Sequence, residues 1–227
     1  MTRGSLFHAL RVGFLALALL LIVTLIVLRV LFLNPVAMED ASMVPTYAPG
    51  SGPFVSRWVG TPEAGDVVLF QSPASGQRVL RRIIAGPGET IQIVDGLIFV
   101  DGAAFRQGAP TGAFDSRRQA PSHSCAWVGS EEMPAFCHAT WIGEGSPNGA
   151  RYWTSRFDTA PLPHVSRTTL AIGEYFVLSD ARDLVGEIAM TGEGGHNGVV
   201  RRGDILGKAT RWTFFYERFR VLLVTDT

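Results

Sequence analysis

From Val12 to Leu28 the chain reads VGFLALALLLIVTLIVL without a charge, and beyond Arg29 the apolar run continues through Leu33. As a helix, about 22 residues rising ~1.5 Å each reach about 33 Å, enough to cross the hydrocarbon core of a bilayer. Arg29 lies near one end, where its long stem lets the charge reach the interface. A cleaved signal peptide has a shorter apolar region, about 7 to 15 residues, closed by small residues. This segment is longer and has no clean A-x-A site, so a retained anchor over 12–33 is expected. Arg3 and Arg11 precede it, while Glu39 and Asp40 follow. The positive-inside rule then places 1–11 in the cytoplasm and everything after Asn34 outside.

The part beyond the anchor can hold one domain with a real core. With Gly 25 and Pro 13, turns are frequent, which favours short strands over long helices. The clearest of these is TIQIVDGLIFVDG, Thr90 to Gly102: two alternating runs joined by Asp95-Gly96, a pair that tolerates the positive φ angles of a tight hairpin turn. DVVLF at 66–70, RVLRRIIA at 78–85, EYFVLSD at 174–180 and DILGKATRW at 204–212 read as further strands. The tail RWTFFYERFRVLLV mixes aromatics and arginines, which suits either an interfacial segment or a strand at the core edge. Between Gly108 and Pro163 the texture turns to Gly, Ser, Pro and scattered Trp. This reads as an inserted subdomain, and no strand pairing is legible in it. The expectation is a mainly β, antiparallel ectodomain over 34–107 and 164–227, interrupted by 108–163.

Cys125 and Cys137 are the only cysteines. In an oxidising space an even pair is most simply a disulfide, closing a loop of about 13 residues for about 3 kcal/mol in the chain-entropy model. His123 and His138 flank the pair, but adjacent Cys137 and His138 make awkward zinc ligands. Lys+Arg 20 balances Asp+Glu 20, which leaves no electrostatic footprint for nucleic acid. Neither a metal nor a cofactor is expected.

Five segments carry the chemistry in order. Ser42-Met43-Val44-Pro45-Thr46 follows the anchor, then come Gly65-Asp66-Val67-Val68, Arg82-Ile83-Ile84-Ala85-Gly86-Pro87-Gly88-Glu89, Tyr175 through Asp183, and Ile205-Leu206-Gly207-Lys208-Ala209. As an ordered set, reaching from the anchor to about residue 215, they resemble bacterial type I signal peptidase (leader peptidase). The resemblance implies a β-rich endopeptidase on the outer face of the bacterial inner membrane that removes signal peptides from exported preproteins. In it a serine attacks the scissile carbonyl and an uncharged lysine accepts its proton, while the extended substrate adds to a sheet edge. Ser42 falls on the nucleophile, and Asp180, Arg182 and Asp183 fall on the polar motif that shapes the site.

The lysine position holds Arg81. A guanidinium stays protonated at any working pH and is not a competent base. The chain's single lysine, Lys208, matches a different, C-terminal element of the pattern. Two further departures agree with this one. Asp40 stands where the family often has an oxyanion-binding serine. Val185 stands where a serine would orient the lysine, and it has no side-chain hydrogen bond to offer. His196, in the TGEGGHNG loop, is the histidine near these elements. Two functions follow from the resemblance: a serine endopeptidase deprived of its usual base, or a non-catalytic homologue that binds exported peptides or a partner peptidase at the membrane.

Overall fold

The computed structural model describes residues 3–38, 42–47, 50–57, 60–73, 76–115, 138–156, 162–182, 198–215 and 220–223. The chain opens with helix α1 (Arg3–Phe32). Fifteen strands follow among the described residues. They are β1 (Leu33–Pro35), β2 (Ser51–Ser56), β3 (Val67–Gln71), β4 (Arg78–Ala85), β5 (Thr90–Val94), β6 (Leu97–Val100), β7 (Ala103–Ala104), β8 (Arg106–Asp115), β9 (His138–Gly145), β10 (Arg151–Arg156), β11 (Val165–Thr169), β12 (Glu174–Leu178), β13 (Val199–Arg201), β14 (Ile205–Phe215) and β15 (Arg220–Leu223).

Side chains are described for only part of α1; those of Val12, Phe14, Leu15 and the larger apolar residues on to Ile26 are exposed. Among the described residues no helix is long and apolar enough to cross a membrane. Cys125 and Cys137, with the disulfide expected between them, lie outside the described residues, as do His123, Asp40, Asp183, Val185 and His196.

The strands form three sheets. The largest has the order β1-β2-β14-β3-β4-β12-β13, with β15 also pairing with β14. A four-stranded sheet runs β11-β5-β6-β7, and a three-stranded one β10-β9-β8. The strand pairs are antiparallel. This is the mainly β architecture that the Gly and Pro content implies.

Local chemistry accounts for the most regular parts. Val94 pairs with Leu97 around a two-residue turn in which Asp95 has φ 49° and Gly96 φ 75°. Two positive φ values in succession make a type I′ turn, whose twist matches the flanking strands. Strand β4 occupies the span that its apolar run predicts, and pairs with β3 without slippage from Val67↔Arg82 to Gln71↔Arg78. The described parts of the tail are strand: β15 pairs with β14, with Trp212 opposite Leu223 and Phe215 opposite Arg220. In the stretch with no legible pairing, β9 joins β8 and β10 over most of its length.

Burial divides the interior into three apolar groups. One, including Ile84, Ile91, Ile93, Ile98, Phe176 and Leu178, joins the four-stranded sheet to β4 and β12. A second, of Val68, Phe70, Ile83, Tyr175, Val177, Val200 and Ile205, belongs to the large sheet. The third gathers Met38, Met43, Tyr47, Val55, Val67, Leu69 and Leu80. Burying such a side chain is worth about 1.5–3 kcal/mol. The third group therefore ties the segment after β1 to the large sheet, and Ser42 stands beside one of its members.

Candidate active site

Residues 42–47 form a turn rather than a strand or helix. Met43 and Val44 are fully buried, and the Tyr47 N–H donates to Met43 O at 2.8 Å. The Val44–Pro45 peptide bond is cis. Two apolar anchors thus draw Ser42 into the interior, where it is 1% exposed.

Strand β4 supplies the groups that meet it. Successive side chains alternate between the two faces of a strand, so Arg81 and Arg82 serve different surroundings. Arg81 is 2% exposed; its Nη1 donates to Ser42 Oγ at 3.0 Å and to Leu80 O at 2.7 Å. Structure thus places together the two residues that the resemblance assigned to the centre. The direction of this bond matters. A guanidinium donates only, so Ser42 Oγ is the acceptor and Arg81 can stabilise negative charge on it without removing its proton.

Arg82 holds the turn from the other side. Its Nε donates to Asp180 Oδ1 at 2.8 Å and its Nη2 to Asp180 Oδ2 at 2.6 Å, a bidentate pair. Nη2 also donates to Thr46 Oγ1 at 2.9 Å, and Nη1 to Gly65 O at 2.7 Å. The Thr46 hydroxyl donates in turn to Asp180 Oδ2. Gly65 has φ 95°, and a Cβ there would lie 2.7 Å from Ala150 Cβ, so only glycine presents its carbonyl to Arg82 at this place. Burial opposes the Arg82 charge, but Asp180 outweighs it and raises the guanidinium pKa above its ordinary value.

A second buried pair lies behind the first. Arg182 Nη2 donates to Glu144 Oε2 at 2.7 Å and Nε to the same oxygen at 3.2 Å, while Nη1 donates to Ser179 O at 2.8 Å. Tyr152 separates the two arginines: its ring centroid is 4.3 Å from Arg82 Cζ and 5.8 Å from Arg182 Cζ. Arg182 Nη2 also donates to the Tyr152 hydroxyl at 3.4 Å. Burial is the largest influence on Tyr152 and raises its pKa, with Arg182 pulling the other way. For Arg182, burial opposes the charge and Glu144 overcomes it, leaving the pKa raised. Two cations face two carboxylates across one aromatic ring, so the buried charge is compensated locally.

Of the residues singled out in the sequence, Asp180 contacts the turn directly through Thr46, and its neighbour Ala181 donates its N–H to Ser42 O at 2.9 Å. Arg182 is one shell further away, on Glu144. Lys208 shares a row of the large sheet with Val68 and Arg81, in the register Lys208↔Val68↔Arg81. Its Nζ is paired with Asp66 Oδ1 at 2.7 Å. Sequence reasoning did not single out Arg82, Thr46, Glu144, Tyr152 or Ser155 for roles. Arg82 and Thr46 lie inside the matched segments, where an arginine beside the lysine position was a usable signal. Glu144, Tyr152 and Ser155 belong to the stretch without legible pairing and carried none.

Comparison with known proteins bears on the family. The model of the signal peptidase family, peptidase S26, matches residues 11–213. Signal peptidase I T of Bacillus subtilis (strain 168) is 30% identical over 90 residues, 38% of this chain and 46% of that protein. Signal peptidase I of Rickettsia prowazekii (strain Madrid E) is 25% identical over 130 residues, 54% of this chain and 42% of that protein. The chain thus spans under half the length of each of these relatives. A crystal structure of a signal peptidase I from Enterococcus faecalis aligns with 67% of this chain and 99% of its own, at 20% identity and a TM-score of 0.33.

Proposed function

The chain belongs to the signal peptidase family, peptidase S26, and from that membership we propose that it receives the signal peptides of exported preproteins at the Ser42 turn, at a membrane surface. The observation that carries the reading is the 3.0 Å bond from Arg81 Nη1 to Ser42 Oγ. As a serine attacks a carbonyl its hydroxyl proton must go to an acceptor, and a protonated guanidinium has no lone pair to offer. Ser42 then has the nucleophile's place and Arg81 the place of the family's lysine, without the lysine's chemistry. General-base help is worth roughly 10² to 10⁴ in rate. On this reading the protein is chiefly a binding member of its family, holding exported peptides or serving beside a partner peptidase, and its own hydrolysis is residual. No cofactor enters the reading.

The uncharged run from Val12 to Leu28 supports an anchor. That run lies within helix α1, and its large apolar side chains from Val12 to Ile26 are exposed. Such a surface belongs in lipid rather than water. With the arginines before it, the proposed topology is single-pass, N-terminus cytoplasmic and β domain periplasmic, in a bacterial inner membrane.

The second reading, a working serine endopeptidase, is favoured by one observation: the family match extends through both the Ser42 turn and the β4 run. Cleavage of a lipid-reconstituted preprotein by the wild type, Ser42→Ala and Arg81→Lys separates the two. Binding of an uncleavable signal peptide by all three, with efficient cleavage appearing only in Arg81→Lys, supports the binding reading. Efficient cleavage by the wild type that vanishes in Ser42→Ala establishes the enzyme instead. Failure of all three to bind or cleave signal peptides refutes both.

A further inference from the structure

The Ser42 turn has little structure of its own, so what holds it in place is supplied from outside. One supplier is a residue with no place in any motif. Ser155, fully buried on β10, donates from its Oγ to Val44 O at 2.7 Å. Its N–H donates to Asp180 O at 2.9 Å, and its carbonyl accepts from Arg182 N at 3.0 Å. Ser155 also forms an isolated parallel bridge with Ala181, whose N–H donates to Ser42 O at 2.9 Å. A single residue therefore binds the turn through its side chain, and through its backbone binds the segment that grips Ser42 itself.

We propose that Ser155 is the positioning residue of the Ser42 turn, fixing the distance between Ser42 Oγ and Arg81 through its hydroxyl bond to Val44 O. The reasoning is geometric. Val44 is two residues from Ser42 and wholly buried, and Ser155 Oγ is the donor that meets its carbonyl. A buried carbonyl deprived of its donor turns toward another partner or toward water, and here it can do so only by moving the turn. Other ties, Thr46 to Asp180 and Arg82 to Thr46, hold the far end of the turn. Ser155 reaches its middle from β10. The same strand supplies Tyr152, which packs on Arg82, so β10 bears on the turn at two places.

Amide hydrogen exchange on the full chain in lipid nanodiscs, without any peptide ligand, tests this independently of the signal-peptide reading. Three variants are compared with the wild type: Ser155→Ala, Ser155→Thr, which keeps a hydroxyl, and Thr154→Ala. Thr154 is the internal control, because it is equally buried on the same strand but donates to Ile142 O at 3.1 Å, away from the turn. Expected is an increase of tenfold or more in exchange at the Tyr47 and Ala181 amides in Ser155→Ala. Ser155→Thr should restore protection, and Thr154→Ala should leave those two amides within threefold of wild type at a similar loss of thermal stability. Unchanged exchange in Ser155→Ala, or an equal increase in Thr154→Ala, overturns the assignment.

Discussion

Replacing Asp180 with alanine strips the site of the acceptor on which the turn and β4 both depend. The Asp180 side chain is wholly buried and accepts from Arg82 Nε, Arg82 Nη2 and Thr46 Oγ1. After truncation Arg82 retains Gly65 O and the Thr46 hydroxyl as partners, but Nε–H and one Nη2 hydrogen lose theirs. Removing one member of a buried ion pair typically costs about 3–5 kcal/mol, because the surviving charge stays buried. For a chain of this size about 1 kcal/mol moves Tm by roughly 2–4 °C. Thermal unfolding of the full chain in detergent should therefore show Asp180→Ala melting roughly 6–20 °C below wild type. Arg82→Met should fall by a similar amount, and the double variant should fall by clearly less than the two losses added, since it leaves neither charge behind. Additive losses, or a drop of under about 2 °C in Asp180→Ala, would refute the claim that this pair is buried and mutually dependent.

Tyr152 has a pKa raised above the ordinary 10.0 by burial, so the unfolded chain releases that proton at lower pH than the folded one. Folding stability should then be flat to about pH 9 and decline above about pH 10, with a shallower decline in Tyr152→Phe, read from urea midpoints between pH 8 and 11. Lys208→Met removes the 2.7 Å pair with Asp66, but that lysine is 43% exposed, so the same urea titration should register less than about 1 kcal/mol. Gly65→Ala forces a side chain onto a φ of 95° and against Ala150. It should cost about 1–3 kcal/mol and displace the carbonyl that Arg82 uses, seen as a lower urea midpoint with the m-value unchanged.

Local pattern settled a good deal of this protein. The alternation and Asp95-Gly96 turn of 90–102 specify a hairpin because the two strands are neighbours in sequence and the turn chemistry fixes their register. The apolar run of β4 needs little beyond its own residues. The meeting of Ser42 and Arg81 was also legible, through the order of five matched segments. Sequence pattern was silent about Glu144, Tyr152 and Ser155. Their side chains find Arg182, Arg82 and Val44 across 38, 70 and 111 positions of chain, and no periodicity encodes a partner at such separations.

What the order of amino acids determined by itself is the kind of molecule: an uncharged apolar run near the start, turns that demand short strands, and at position 81 an arginine, which can donate but not accept a proton, because each is a property of neighbouring residues or of one side chain's chemistry. Tertiary structure decided where the charges are answered. A buried guanidinium is tolerable only beside a carboxylate or ring in the right orientation, and that orientation exists only once β4, β10, β12 and the Ser42 turn have packed together.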